Sequence, residues 1–437
     1  MKKKIGIGML GLGTVGKGVA NIINSPEGRN PLISQLQLIQ VAVRDINKNR
    51  DLTIDSSLLT QDPQEVIKDP KVDIVVEVMG GIEPARELIL KSIELGKSVV
   101  TANKAVIARY GEEIANAAKN AGVYVLIEAA VGGGIPIIEP LKQSLGGNKI
   151  NKITGIINGT TNYILTRMTK EGESYPDLLN QAQSMGYAES DPTADVEGLD
   201  AADKIAILSS LAFGGSINRE NIQTEGISKL QNIDVEYAKK LGYEIKLVGI
   251  AEKAKNTSTN SSLPLSIRVG PTLLPEEHPL AGVNGVNNAI LIEGDPVGQV
   301  MFYGPGAGAG PTSSAVIADI LNIAGIQLMG GESIPLDPLL SGSTWRECHL
   351  VKPREILQKN YIRLITTDSA GVIGKIGKIF GDQDVSIESI VQFDATRNGA
   401  EIVVVTHEVS KGKIYDALSR IESLKEVKRV AAHLGCL

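Results

Sequence analysis

Ile5-Gly6-Ile7-Gly8-Met9-Leu10 runs without a break into Gly11-Leu12-Gly13-Thr14-Val15-Gly16, and Lys17 to Ile23 follows with apolar residues at helical spacing. A short buried strand, a G-x-G-x-x-G turn and a helix, in that order, make up the dinucleotide-binding fingerprint. Its glycines permit a tight turn, close approach of backbone to a pyrophosphate, and close packing of helix on strand. The first N–H groups of the helix attract the phosphates. Gly11, Gly13 and Gly16 are therefore expected to line a cofactor.

Working outward, strands and helices alternate. Leu38 to Val43 and Val72 to Val78 read as strands, Pro84 to Leu95 as a helix, Ser98 to Thr101 as a strand, Ala105 to Lys119 as a helix and Val123 to Glu128 as a strand. That pattern predicts a doubly wound parallel sheet over residues 1 to 130. Its second strand ends at Val43-Arg44-Asp45. An acid there binds the adenosine ribose hydroxyl, whereas an arginine favours a 2′-phosphate. With Lys48 and Arg50 close behind, the reading leans towards NADP, and Asp45 leaves NAD open.

Two further strand ends point to the same crevice, because ligands of open α/β sheets lie at the carboxyl ends of strands. Thr101-Ala102-Asn103-Lys104 offers a lysine that either reaches a ligand anion or simply opens a surface helix. Glu128-Ala129-Ala130-Val131-Gly132-Gly133-Gly134-Ile135-Pro136 offers a carboxylate and a triple-glycine turn with exposed carbonyls. Such a set suits a hard cation, an interdomain hinge, or both.

At 437 residues the chain is long enough for roughly three domains at about 150 residues each. A net charge of −6 gives no basic surface for nucleic acid, so small-molecule chemistry is expected. The two cysteines, Cys348 and Cys436, are too far apart in sequence to suggest a disulfide framework or a zinc site, which fits a reducing cytoplasm. Met1 to Lys4 is basic, but the apolar run behind it is short and glycine-broken, so no signal peptide is read. No apolar stretch is long enough to span a membrane.

Residues 131 to 345 read as an α+β substrate and dimerisation domain. Asn151 to Asn158 is a strand running into Gly159-Thr160-Thr161-Asn162, which starts the helix Tyr163 to Lys170. Lys246 to Glu252, Pro264 to Val269, Ala289 to Glu293 and Val300 to Tyr303 are further strands. The last leads into the glycine-rich turn Gly304 to Gly310 and a helix over Thr312 to Ile323. Between them lies Met185 to Lys204, an acidic stretch ending on a lysine. Leu199 to Leu208 has helical spacing, which puts Asp200 and Lys204 on one face at i and i+4. Gly186, Pro192 and Gly198 break any longer helix, so Glu189, Asp191 and Asp195 fall in an irregular segment able to fold over that face. Such a pair is either a solvated helical ion pair or a carboxylate pocket built around one ammonium.

Prolines 335, 338 and 353 with Ser341-Gly342-Ser343 mark a connecting segment, placed at residues 346 to 357. The remainder, 358 to 437, reads strand Tyr361 to Thr366, helix Gly371 to Phe380, strands Val385 to Phe393 and Glu401 to Thr406, helix Ile414 to Ile421 and strand Val427 to Ala431. This βαββαβ order is ferredoxin-like.

Taken together, Gly-Leu-Gly-Thr-Val-Gly at 11 to 16, Thr-Ala-Asn-Lys at 101 to 104, Glu128 with Val-Gly-Gly-Gly-Ile-Pro at 131 to 136, Gly-Thr-Thr-Asn-Tyr-Ile-Leu at 159 to 165, and Gly-Leu-Asp-Ala-Ala-Asp-Lys at 198 to 204 resemble the homoserine dehydrogenases. The resemblance implies a Rossmann-type nucleotide domain and NAD(P)-dependent interconversion of L-aspartate 4-semialdehyde and L-homoserine. It implies Lys204 as the acid/base, Glu189 and Asp200 as holders of the substrate's amino-acid end, and Asp195 as their support. It further implies cofactor contacts at Thr14, Val15, Lys104, Gly186 and Gly304, and a monovalent-cation site, usually sodium, at Glu128 and the carbonyls of Val131, Gly133 and Ile135. The C-terminal module, with Asp368-Ser369-Ala370-Gly371-Val372 at its first strand-helix turn, resembles an ACT domain. That resemblance implies an amino-acid effector, threonine, at Asp368, Gly371 and Val372, and a homodimer or homotetramer. The competing readings are another NAD(P)-linked amino-acid dehydrogenase and a non-catalytic amino-acid sensor. An intact fingerprint beside both Lys104 and Lys204 speaks against the sensor.

Overall fold

The structure, a computed structural model, describes residues 4–48, 50, 54–254, 263–328, 348–396 and 399–437. In chain order the first elements are β1 (Ile5–Leu10), α1 (Thr14–Asn24), β2 (Leu36–Ala42), β3 (Leu59–Thr60), α2 (Pro63–Lys68), β4 (Ile74–Glu77), α3 (Ala85–Glu94), β5 (Ser98–Thr101), α4 (Lys104–Ala121) and β6 (Val125–Leu126). Then come β7 (Lys149–Ile156), α5 (Gly159–Glu171), α6 (Tyr175–Ser184), α7 (Thr193–Val196), α8 (Leu199–Phe213), β8 (Gln223–Thr224), α9 (Asn232–Lys240), β9 (Tyr243–Lys253), β10 (Leu263–Pro275), β11 (Asn287–Asp295), β12 (Gly298–Pro305) and α10 (Ala309–Leu328). The last group is β13 (Cys348–Leu350), β14 (Leu357–Thr366), α11 (Val372–Asp382), β15 (Ile387–Thr396), β16 (Gly399–Thr406), β17 (Val409–Ser410), α12 (Lys411–Glu422) and β18 (Val427–Cys436). Contacts divide these elements between two compact units, each assembled from three stretches of chain: 1–153 with 203–220 and 288–348, and 154–202 with 221–287 and 349–437.

The first unit is built on a six-stranded parallel sheet in the order β3-β2-β1-β4-β5-β6. All six residues of β1 are buried, as a central parallel strand covered on both faces requires. The order reverses at β1, which is where a doubly wound sheet opens its ligand crevice. One covering helix comes from far along the chain. Val316, Ile320 and Ile323 of α10 share a core with Ile5, Ile7 and Val76, and α10 lies beside α1.

The second unit carries an antiparallel β9-β10 pair and the ladder β18-β14-β16-β15. The two join where Thr272 and Leu273 of β10 pair in parallel with Gly435 and Cys436 of β18. Helices α11 and α12 complete the βαββαβ order, with Ile376, Phe380, Ile414 and Ile421 packed on Ile362, Leu364, Ile402 and Val404. A buried ion pair ties this ladder to α9. Arg363 Nε donates to Asp234 Oδ1 at 2.6 Å, and its other nitrogens donate to Gln231 at 2.8 Å and Glu401 at 3.1 Å.

Several elements differ from their sequence reading. Helix α1 begins at Thr14 rather than Lys17, because Gly13 is its N-cap and its carbonyl already accepts the Lys17 N–H at 2.9 Å. Strand β6 stops at Leu126, since the Glu128 N–H is donated to Asp319 Oδ2 at 2.9 Å and is lost to the ladder. Gly304 and Pro305 close β12 instead of opening a turn, and α10 starts at Ala309. Helices α2, α6, α7 and α9 are not among the expected elements, and α7 puts Asp195 in a helical turn rather than an irregular segment, because the Val196 and Glu197 N–H groups donate to the Pro192 and Thr193 carbonyls. Of the connecting segment, prolines 335 and 338 and Ser341-Gly342-Ser343 lie outside the described residues, while Pro353 opens a 3-10 turn over Pro353–Glu355. Neither Cys348 nor Cys436 is in a disulfide among the described residues. Among the described residues no helix is long and apolar enough to cross a membrane.

Candidate active site

The fingerprint turn has the shape its glycines predict. Gly11 has φ +104°, and a Cβ there would lie 2.9 Å from the Val78 carbonyl oxygen. A Cβ on Gly16 would lie 2.4 Å from the Gly11 oxygen, so helix and strand approach as closely as backbone allows. Gly13 is different, with nothing within 4 Å of its missing side chain. No side chain caps α1, which leaves Thr14, Val15 and Gly16 at a helix start whose first N–H groups lack intrahelical partners. An open glycine before an uncapped helix fits a pyrophosphate. From the far end of the chain, Ser313 Oγ donates to the Val15 carbonyl at 3.0 Å, and a side chain on Gly18 would collide with it.

Arg44 follows β2 and is exposed, with Gln61 Nε2 donating to its carbonyl at 3.1 Å. Asp45 Oδ1 is engaged locally by the Asn47 N–H at 2.8 Å. Lys104 is the first residue of α4, and Asn103 before it caps that helix through the Val106 N–H at 3.3 Å. The turn is braced by Glu77, fully buried at the end of β4. Its carboxylate accepts from Thr101 Oγ1 at 2.7 Å and the Met79 N–H at 2.8 Å, while Asn103 Nδ2 donates to Gly81 O at 2.7 Å. Burial pushes the Glu77 carboxyl up. Gly304 lies in β12 of the same unit; Gly186, φ +75°, follows α6 in the other.

Around Glu128 the donor set is all oxygen. Its carboxylate accepts the N–H groups of Ile137, Ile138 and Glu139 at 2.6, 2.8 and 2.8 Å, and burial raises its pKa. Carboxylate oxygens of Glu128, Glu139 and Asp319 lie within 4.8 Å of one another, and burial holds the Asp319 carboxyl well above its ordinary range. Val131, Gly133 and Ile135 belong to the adjoining turn. There the Ile135 N–H donates to Gly132 O at 2.9 Å, and Gly133, φ +58°, comes so close to Gly306 that a Cβ would sit 2.4 Å from its oxygen. Hard oxygen donors fit a small cation.

Asp200 and Lys204 are both buried, 5 % and 8 % exposed, one turn apart on α8. In the second unit Asn158 Nδ2 donates to Asp200 Oδ2 at 2.9 Å and to Asp195 Oδ1 at 2.8 Å, so these two carboxylates are gathered at the start of α5. Thr160 Oγ1 donates to the Tyr187 carbonyl at 2.6 Å and holds the Gly186–Ala188 segment beside them. Glu189 is exposed, its carbonyl accepting from Gln183 Nε2 at 3.0 Å. Asp191 is spent on α7: it accepts from Thr193 Oγ1 at 2.7 Å and the Thr193 N–H at 3.1 Å, which hold its carboxyl below the usual range. Asn158, Glu77, Asp319 and Ser313 were not anticipated as site residues.

In the C-terminal ladder, Thr366 to Ile373 with Gln392 and Ile402 line a cavity of about 290 Å³. Asp368, Gly371 and Val372 all face it. Gly371, φ +89°, is the N-cap of α11 and, like Gly13, leaves its helix without a side-chain cap.

Comparison with known proteins accounts for all of these regions. Residues 11–128 match the family model "Homoserine dehydrogenase, NAD binding domain", residues 136–321 match "Homoserine dehydrogenase", and residues 360–426 match "ACT domain". A homoserine dehydrogenase of Synechocystis is 53 % identical over 431 residues, 99 % of each chain. The crystal structure of a homoserine dehydrogenase from Thiobacillus denitrificans is similar with a TM-score of 0.91 at 40 % identity, covering 100 % of this chain and 98 % of that one. A hyperthermophilic archaeal homoserine dehydrogenase in complex with NADPH has a TM-score of 0.62 at 30 % identity, covering 76 % of this chain and 99 % of that one. With matches along nearly its whole length, a nicotinamide-binding domain and an ACT domain, this chain belongs to the homoserine dehydrogenase family of oxidoreductases.

Proposed function

We propose that the chain interconverts L-aspartate 4-semialdehyde and L-homoserine with NADP as preferred coenzyme, in the cytoplasmic branch leading to threonine, methionine and isoleucine, and that threonine feeds back on it. The observation that carries this reading is the buried Asp200-Lys204 pair on α8, with Asp200 tied through Asn158 to Asp195. A substrate bearing its own ammonium calls for such carboxylates, and charge-assisted hydrogen bonds to them orient it. In this reading Asp200 and Glu189 hold that ammonium and Asp195 supports them. The bound nicotinamide supplies the hydride donor or acceptor. Lys204 gives a proton to the substrate oxygen in reduction and takes it in oxidation.

Gly11, Gly13, Thr14, Val15, Gly16, Lys104, Gly186 and Gly304 are assigned to the coenzyme. Arg44 is assigned to a 2′-phosphate, a choice supported by its exposure and by the local engagement of Asp45. A sodium ion is assigned to Glu128 and the carbonyls of Val131, Gly133 and Ile135. Residues 1–130 form the nucleotide domain in this reading, 131–345 the substrate and dimerisation domain of a homodimer or homotetramer, 346–357 the linker and 358–437 the regulatory domain. Threonine is assigned to the cavity at Asp368, Gly371 and Val372.

The test is nicotinamide reduction by the purified protein with L-homoserine, comparing NADP with NAD, with and without threonine and sodium. Homoserine-dependent reduction that is faster with NADP and slowed by threonine is expected. Folded, nucleotide-binding protein that reduces neither coenzyme would overturn the reading in favour of another amino-acid dehydrogenase or a sensor.

A further inference from the structure

The amide of Asn158 uses every hydrogen-bonding position it has. Its Oδ1 accepts from the Thr161 N–H and from Thr161 Oγ1, each at 2.9 Å, and its Nδ2 donates to Asp195 Oδ1 at 2.8 Å and Asp200 Oδ2 at 2.9 Å. Two lone pairs and two N–H groups are all that an asparagine side chain offers. The orientation is therefore unique, because a flipped amide would aim its oxygen at two carboxylates and its NH2 at a peptide N–H. The side chain is 4 % exposed, so neither end can exchange its partner for bulk water.

Ordinary capping does not demand this residue. Serine, threonine or aspartate would satisfy the Thr161 N–H equally well as N-cap of α5. Only an amide both caps the helix and presents two donors to two acids. Each carboxylate commits one oxygen to Nδ2, and the other oxygen of Asp195 lies 3.5 Å from Thr160 Oγ1.

We infer that Asn158 is a positioning residue for the reaction: it ties Asp200 to Asp195 through one amide, so that Asp200 is held in place to receive the substrate's ammonium with Asp195 supporting it. The inference rests on the proposed roles of those two acids.

The test compares full-length Asn158→Ser and Asn158→Asp with the unaltered chain, measuring homoserine KM, kcat, coenzyme Kd and the pH profile of kcat/KM. Asn158→Ser keeps the cap, so folding and coenzyme Kd should be unchanged while homoserine KM rises tenfold or more. Asn158→Asp packs a third carboxylate against two, and like charges in contact raise their pKa values. The acid limb of its kcat/KM profile should therefore move to higher pH. A homoserine KM within twofold of the unaltered chain in Asn158→Ser, or an unmoved acid limb in Asn158→Asp, overturns the inference. Asp200→Asn is run in parallel: if that variant keeps its homoserine KM, the failure lies in the role of the acids and not in that of Asn158.

Discussion

Two strand-to-helix junctions, β1 into α1 and β7 into α5, surround their helix starts in opposite ways. At the first, Gly13 leaves the helix start bare and the space before it open. At the second, Asn158 fills the cap and turns its remaining donors onto Asp195 and Asp200. A bare helix start keeps its N–H groups for an anion. A capped one surrounds itself with acids and suits a cation. In the proposed reading the N-cap side chain therefore separates an anion site from a cation site. The junction of β14 with α11 follows the first pattern, with Gly371 at the cap and a cavity in front of it.

The largest effect tests what lies outside both junctions. If they only hold coenzyme and substrate, the proton must be moved by Lys204, and Lys204→Ala should lower kcat by roughly 10²- to 10⁴-fold. Coenzyme Kd, followed by nicotinamide fluorescence, should not change. Turnover within tenfold of the unaltered chain would take the proton away from Lys204.

The next experiment makes the first junction resemble the second. Gly13 has φ −79° and open space around it, so Gly13→Asn can be accommodated without strain. The new cap competes with the pyrophosphate for the same N–H groups. Losing one charge-assisted hydrogen bond, about 1.5–3 kcal/mol, weakens coenzyme binding by about tenfold or more. Stability should hold steady or rise by a few tenths of a kcal/mol, since glycine is itself a tolerable cap. Unchanged coenzyme Kd in a capped variant would break the comparison.

The smallest effect is expected at the third junction. Gly371→Asp adds both a cap and a negative charge beside the cavity, at a cost of roughly 1–2 kcal/mol for a left-handed non-glycine residue. The ratio of the rate with threonine to the rate without it should rise to one. A ratio that persists would place the effector elsewhere.

What could be read from the chain follows the range of the interactions involved. The fingerprint and the Asp200-Lys204 pair depend on neighbours within a few residues, so spacing alone exposes them. The parallel sheet follows from the alternation of strands and helices, whereas its two-residue edge strand β3 is too short to show in the sequence. Asn158 was visible only as the end of a strand, because its partners lie 37 and 42 residues away. Asp319 meets Glu128 across 191 residues and Ser313 meets Val15 across 298, distances over which sequence carries no local signal. Helix α6 is a different case. Ser174 caps it through the Asp177 N–H at 3.4 Å, and Ser-x-x-Asp ahead of a periodic run was available as a start signal.

Strand β18 lies between β10 and β14, pairing with both. During synthesis β10 is complete at Pro275, long before the ribosome reaches Val427, where β18 begins. Over that interval the edge that β18 will cover offers open peptide groups to any passing strand. The nascent chain therefore spends much of its translation in a form prone to wrong pairing. A release that came before Val427 would leave a product with β10 and β14 lacking the strand between them, an exposed sheet edge suited to quality-control proteolysis.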